Sequence, residues 1–183
     1  MKYKKIFIIL FVSLFSSPLA HSAGVGTIGF GPSIGFAMPN TSSTTLAFGL
    51  NFIYKLNPLL GVALFYEKYS ASINSVSGTN EISSSTSATF FGLQPTYYFT
   101  GSNFNIGLKI GSAKNAINGS AIQNTNQVFS IDDSTSGFFV GPSLNYDVNV
   151  GIVSIGGELA YLYGLGSSSP KALTLLGTCK FWF

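Results

Sequence analysis

The chain ends in the stretch Leu173-Thr174-Leu175-Leu176-Gly177-Thr178-Cys179-Lys180-Phe181-Trp182-Phe183. Apolar and polar side chains alternate along much of it, which is the period of a β-strand with one apolar face. The stretch then stops on an aromatic residue. Because the same two-residue period runs along most of the chain, the sequence predicts an all-β fold.

Eight segments carry this period and are predicted to be strands. They are residues 27–38, 45–56, 59–70, 87–100, 103–113, 137–148, 152–163 and the C-terminal stretch. Short connections at 57–58, 100–102 and 149–151 alternate with mostly longer polar ones at 39–43, 71–86, 114–136 and 164–171. An even number of strands with alternating turns and loops predicts an eight-stranded antiparallel up-and-down transmembrane β-barrel.

The size of the apolar side chains decides which face of the predicted barrel looks outward. The apolar set supplies about five large side chains on each strand, whereas an eight-stranded interior is filled by modest side chains. A lipocalin-like soluble barrel would have to hold the large set inside. We therefore expect the apolar face to contact lipid, with aromatic girdles near both strand ends.

The first residues have the pattern of a secretory signal peptide. Lys2, Lys4 and Lys5 precede the apolar run 6–15, which is too short to cross a bilayer as a helix. We expect a signal peptide over 1–23, with cleavage after Ala20, Ser22 or Ala23, and a barrel domain over 24–183.

The charges of the mature chain exclude one class of partner. Without its first three lysines the chain keeps six lysines, six acidic residues and no arginine, so its net charge is about zero. Nucleic-acid binding needs a basic footprint, so we expect no nucleic acid as a partner.

Three strands share a proline followed by a hydroxyl residue: Gly31-Pro32-Ser33, Gln94-Pro95-Thr96 and Gly141-Pro142-Ser143. Proline removes a ladder donor, so local bulges are predicted at all three. With the Tyr98-Phe99 strand end and the terminal Phe183, these segments resemble the small outer-membrane β-barrel domain proteins of Gram-negative bacteria.

That resemblance covers nearly the whole mature chain and implies export through the inner membrane to the cell outer membrane. It implies outer-membrane lipid and lipopolysaccharide as surroundings, and the barrel-assembly machinery and periplasmic chaperones as partners. Phe181 and Phe183 would then form the assembly signal.

Catalytic and metal-binding groups are scarce in this sequence. The one histidine, His21, lies in the predicted signal region, whereas barrel enzymes of this membrane resemble one another in relying on histidine. Asp132-Asp133 lacks the spaced oxygen ligands of a calcium loop. We predict no enzyme activity, no metal site and no cofactor.

Six charged residues are predicted to point into the barrel: Glu67, Lys109, Glu158, Lys55, Asp147 and Lys180. They are expected to pair, because burying an unpaired charge is costly. They would either plug the lumen or line a narrow water path. The inward Phe65, Tyr69, Phe90, Phe139 and Trp182 would fill space in the first case.

The Ser-, Asn- and Thr-rich segments 71–86 and 114–136 are expected to be flexible loops or rigid hairpin extensions. Two functions remain open. The first is a structural or adhesin-like surface role, with a host or matrix ligand at the loops. The alternative is a narrow channel for ions or small solutes.

Overall fold

Eight antiparallel strands close into a barrel in sequence order, and β8 pairs with β1 to complete it. The computed structural model describes residues 27–39, 44–77, 80–123, 127–166 and 170–183, so the predicted signal peptide and His21 lie outside the described residues. The strands are β1 (Ile28–Pro39), β2 (Thr45–Lys55), β3 (Leu60–Ser77), β4 (Asn80–Tyr98), β5 (Phe104–Gln123), β6 (Gln127–Val150), β7 (Val153–Gly164) and β8 (Lys171–Trp182). The predicted fold class is confirmed.

No helix within the described ranges is long and apolar enough to cross a membrane.

Short turns join the strands at one end of the barrel, the short-turn end. At the β2–β3 turn, the Asn57 side-chain oxygen accepts hydrogen bonds from the backbone N–H groups of Leu59 and Leu60, both at 2.8 Å. Gly101 and Gly151 take positive φ angles of 70° and 64° in the other two turns, a conformation that glycine adopts without strain. These turns match the predicted short connections.

Two of the longer connections, 71–86 and 114–136, were expected to be flexible loops or rigid hairpin extensions, and they are hairpin extensions. β3 and β4 stay paired out to Ser77 and Asn80, and β5 and β6 out to Gln123 and Gln127. Most of the segments 71–86 and 114–136 is therefore strand, and the ladder supplies partners for their backbone N–H and C=O groups. This end of the molecule is called the hairpin end below.

The prolines do not produce the predicted bulges. Each proline is paired in register with one of its two neighbouring strands, in the pairs Pro32↔Leu50, Val62↔Pro95 and Leu108↔Pro142. Toward the other neighbouring strand the ladder skips two residues and resumes in the same register, as from Val140↔Tyr163 to Ser143↔Ala160. The bulge prediction is wrong, because the missing N–H costs a ladder bond on one flank without inserting an extra residue.

The two faces of the barrel have opposite chemistry. A belt of aliphatic and aromatic side chains, one on every strand, stands about half exposed on the outside: Ile34, Phe48, Leu64, Leu93, Ile110, Leu144, Leu159 and Leu175. A continuous exposed apolar surface of this kind is far larger than a water-soluble protein tolerates. The outward orientation of the large apolar set is confirmed.

Aromatic side chains flank that belt at both ends. At the short-turn end, Tyr97 and Phe99 form an edge-to-face pair with ring centroids 5.2 Å apart, and Phe104 and Tyr146 lie 4.8 Å apart. At the hairpin end the outward aromatic side chains are Phe36, Tyr66, Phe91, Phe138, Tyr161 and Tyr163. Two such girdles are typical of barrels that cross a membrane.

Candidate functional site in the barrel lumen

The inward positions of three distant strands bring Glu67, Lys109 and Glu158 together at mid-barrel. Strand alternation points all three side chains into the lumen, and their exposed fractions are 2%, 0% and 3%. Lys109 Nζ donates to Glu67 Oε1 on β3 and to Glu158 Oε1 on β7. We call these three residues the upper cluster.

Neutral groups complete part of the upper cluster. Gln94 Nε2 donates to Glu158 Oε2 at 3.1 Å and to Ser143 Oγ at 2.9 Å. Lys109 Nζ also lies 4.8 Å from the centroid of the Phe65 ring. Glu67 Oε2 is buried without a hydrogen-bond partner among the described residues. The single cation is therefore shared by two carboxylates, of which Glu158 is the better satisfied.

Asp147 and Lys180 form a second ion pair closer to the short-turn end, the lower cluster. Lys180 Nζ lies 2.8 Å and 2.7 Å from the two carboxylate oxygens of Asp147. Asn105 Nδ2 donates to one of these oxygens at 3.0 Å, and Thr178 Oγ1 approaches the other at 3.4 Å. Three groups from β5 and β8 thus converge on one buried carboxylate.

Lys55 differs from the other interior lysines, because none of the described carboxylates lies within ion-pair distance of it. Its ammonium group lies 4.3 Å from the Trp182 ring centroid and 4.8 Å from that of Tyr98. Trp182 Nε1 donates to Ser154 Oγ at 2.5 Å, which fixes the ring in place. The expected charge pairing is replaced at Lys55 by cation–π contacts.

A cluster of aromatic rings fills the lumen toward the hairpin end. Phe90 and Phe139 pack edge to face with centroids 5.0 Å apart, and Phe65 and Tyr69 each join at 5.9 Å. All four side chains are at most 3% exposed. Small inward residues make room for them, including Ala37, Ala47, Ala88, Ala113 and Ala172. We call the four rings the aromatic plug.

The structure thus places all six predicted interior charges inside the barrel and brings five of them into two ion-pair clusters. Sequence reasoning missed Gln94, Asn105 and Tyr98, which contact these charges. Their inward parity was the one available signal, since Gln94 and Tyr98 share a strand face with Phe90. Within the described ranges, no three His, Cys, Asp or Glu residues are grouped so as to hold a metal ion.

The two residues of the predicted assembly signal lie at the β1–β8 seam. Phe183 and Ile28 exchange backbone hydrogen bonds of 2.8 Å and 3.2 Å, which extend the closing ladder by one residue. The Phe183 side chain is 79% exposed, and Phe181 is 39% exposed on the outer face. Both rings are therefore accessible from outside the barrel.

Solved structures of the same architecture come from outer-membrane proteins. Ail, the attachment invasion locus protein of Yersinia pestis, in complex with the heparin analogue sucrose octasulfate, superposes with a TM-score of 0.62 at 14% identity, over 87% of this chain and 100% of that one. A major outer membrane protein from Thermus thermophilus gives 0.60 at 12% identity, over 87% and 100%. Neither a family model nor a curated protein sequence matches the chain. At these identities the likeness shows the fold, which is that of the small eight-stranded outer-membrane barrels.

Proposed function

We propose that this chain is a non-enzymatic β-barrel of the bacterial outer membrane whose extended hairpins mediate contact at the cell surface. The observation that carries the proposal is the sheet formed by β3 to β6 beyond the closed barrel. β3 pairs with β2 only as far as Tyr69, and β6 pairs with β7 only from Phe139. Within the described ranges, the outer parts of these four strands are paired with one another.

This four-stranded extension is suited to binding because of its β3 edge. Among the described residues, β2 pairs with β3 no further than Tyr69, so the β3 edge that faces β2 carries no strand beyond the contact of Thr45 Oγ1 with the Ser70 carbonyl oxygen. Exposed sheet edges accept extended peptide segments through main-chain hydrogen bonds. A host or matrix protein with such a segment is the partner that this geometry favours.

The outer surface supports a position in a membrane with this sheet projecting from one side. Thr89 on β4 is the register partner of two outward lysines, Lys68 on the neighbouring β3 and Lys114 on the neighbouring β5. This row lies one step beyond the outward aromatic side chains Tyr66 and Phe91 at the hairpin end. Cationic side chains just outside an aromatic girdle are suited to anionic lipid headgroups, including those of lipopolysaccharide.

The alternative function, a channel through the lumen, is less well supported. The aromatic plug and both ion-pair clusters occupy successive depths of the interior, and their side chains are at least nine-tenths buried. Paired charges of this kind favour a sealed barrel.

The same proposal includes the route to the membrane. Periplasmic chaperones would deliver the chain after removal of a signal peptide, and the barrel-assembly machinery would recognise Phe181 and Phe183.

Shortened hairpins test the surface role. The pairs Ser70↔Ser87 and Lys114↔Ser136 can each be joined by an Asn-Gly turn, which preserves the register of the barrel below. Wild-type protein in nanodiscs should bind at least one immobilised matrix protein or glycan, and the doubly shortened variant should not. The two singly shortened variants serve as matched controls and show which hairpin binds.

Heat-dependent gel mobility would establish that each shortened barrel is folded. Undiminished binding by the doubly shortened barrel, or no binding by wild type across the panel, would overturn the surface role.

A further inference from the structure

A small polar cavity lies between the upper and lower clusters. Its volume is about 20 Å³, and its lining includes Glu158 of the upper cluster and Lys180 of the lower one. The lining side chains Asn51, Gln94 and Asn145 are at most 5% exposed. The cavity is therefore a buried polar space in the middle of the barrel.

Two atoms of the lining residues are buried without a hydrogen-bond partner in the described structure: Asn51 Oδ1 and Asn145 Nδ2. One is an acceptor and the other a donor. They come from β2 and β6, strands separated by three others around the barrel. Buried amide groups in folded proteins almost always have a partner, either a protein group or an ordered water. A bridging group in the cavity would satisfy both atoms at once.

We infer that this cavity is a binding site for one ordered water molecule, which accepts a hydrogen bond from Asn145 Nδ2 and donates one to Asn51 Oδ1. A cavity needs a volume of at least about 10–15 Å³ to hold one water, and this cavity has about 20 Å³. A buried water also needs two to four polar partners. The two amides provide two, and the carboxylate of Glu158 can accept the second hydrogen of the water.

The neighbouring charges favour a neutral occupant over an ion. Glu158 already accepts from Lys109 and Gln94, and Lys180 already contacts both oxygens of Asp147. Among the described residues that line the cavity, the buried polar atoms without a partner are one donor and one acceptor, both in uncharged amides. Water is the smallest molecule that serves both, and it would tie the two clusters together across the lumen.

Asn→Leu substitutions should shift the midpoint of unfolding in opposite directions for a hydrated and a dry cavity. Leucine has nearly the shape of asparagine without its polar atoms, so the substitution changes the hydrogen bonding more than the packing. With a bridging water, Asn51→Leu removes a bond and leaves the water with one amide partner, so the midpoint of urea unfolding in lipid vesicles should fall. Asn145→Leu should also lower the unfolding midpoint, and the double variant should lower it by less than the sum of the two single effects. Fluorescence of Trp182, the single tryptophan, reports unfolding.

In a dry cavity the same substitutions would remove an unsatisfied polar atom, so each midpoint would rise and the effects would add; that result would overturn the inference. Thr174→Val is the matched control. Its buried hydroxyl has a protein acceptor, the Ala160 carbonyl oxygen at 3.4 Å, and it does not line the cavity. The unfolding midpoint of Thr174→Val should fall whether the cavity is hydrated or dry.

A high-resolution crystal structure of the unaltered protein tests the site without any substitution. We expect a density peak within hydrogen-bond distance of both amides, with no anomalous signal after soaks in rubidium or bromide salts. An empty cavity would overturn the inference. An anomalous peak would also overturn it and would identify the occupant as an ion.

Discussion

At the scale of single residues, Lys109 shows how the interior stays folded around its charges. Its ammonium group is fully buried, and burial of an ammonium without partners would cost several kcal/mol. Two carboxylates from β3 and β7 offset that cost, and Gln94 holds one of them in place. The cation in turn keeps Glu67 and Glu158 from being two unpaired like charges. Removal of the cation is therefore the most damaging single change in this cluster.

Lys109→Met should lower the free energy of unfolding by about 3–5 kcal/mol, because it leaves two buried carboxylates without a cation. Urea titration in lipid vesicles, followed by Trp182 fluorescence, measures the change. Lys114→Met is the matched control, since Lys114 lies on the same strand but points outward and is exposed. Its effect should stay within about 0.5 kcal/mol.

Neutralising the carboxylates of the Lys109 variant with Glu67→Gln and Glu158→Gln should recover part of the lost stability. Equal losses for Lys109→Met and Lys114→Met would show that the upper cluster does not stabilise the barrel.

The inward placement of the six charges could be predicted from strand parity, but their partners could not. Lys109 lies 42 residues from Glu67 and 49 from Glu158 along the chain, and it meets both across the lumen. Parity assigns a face to each side chain, whereas contacts across the lumen depend on the register of every intervening strand. Lys55 illustrates the difference, because its partners are the rings of Tyr98 and Trp182.

At the scale of elements, strand ends were harder to predict than strand centres. Large apolar residues at alternate positions identify a strand in the sequence only where one face of that strand contacts lipid. In the outer part of β5 and β6 both faces are polar or mixed, yet the ladder runs without a break from Phe104↔Tyr146 to Gln123↔Gln127. A period-2 pattern of hydrophobicity cannot appear where no face is apolar, so these segments resembled loops.

The closing strand β8 has an element-scale role that can be separated from stability. Phe183→Ala should slow assembly and reduce the folded amount in the outer membrane, because the exposed ring is the proposed signal for the assembly machinery. The folded barrel should keep its stability, since the Phe183 bonds to Ile28 are made by backbone atoms. Outer-membrane levels and unfolding midpoints measure the two effects.

Phe104→Ala is the matched control for Phe183→Ala, as Phe104 is another exposed outward ring at the short-turn end. Equal outer-membrane levels for Phe183→Ala and wild type would count against the signal. So would an equal loss for Phe104→Ala.

At the scale of the whole molecule, different groups occupy the interior at successive depths. Lys55 between two aromatic rings occupies the short-turn end, the two ion-pair clusters occupy the middle, and the aromatic plug lies toward the hairpin end. The sequence left both a plug and a narrow water path open, because strand parity points the charges and the aromatic rings into the lumen without showing how far they fill it. The packing of Phe65, Phe90 and Phe139 favours the plug, since rings from three strands contact one another in the lumen.

A sealed lumen predicts that the refolded protein is electrically silent in planar bilayers, provided that heat-dependent gel mobility shows it to be folded. An ion that crosses the interior would have to displace the aromatic plug and break both ion-pair clusters, and their buried charges are costly to separate. Phe90→Ala and its outward neighbour Phe91→Ala form a matched pair, and both should stay silent because the upper cluster still blocks the path. Discrete conductance steps in wild type, altered by Glu67→Gln or Lys109→Met, would instead make the upper cluster the gate of a pore. Silence would place the function at the hairpins, where, among the described residues, β2 pairs with β3 no further than Tyr69.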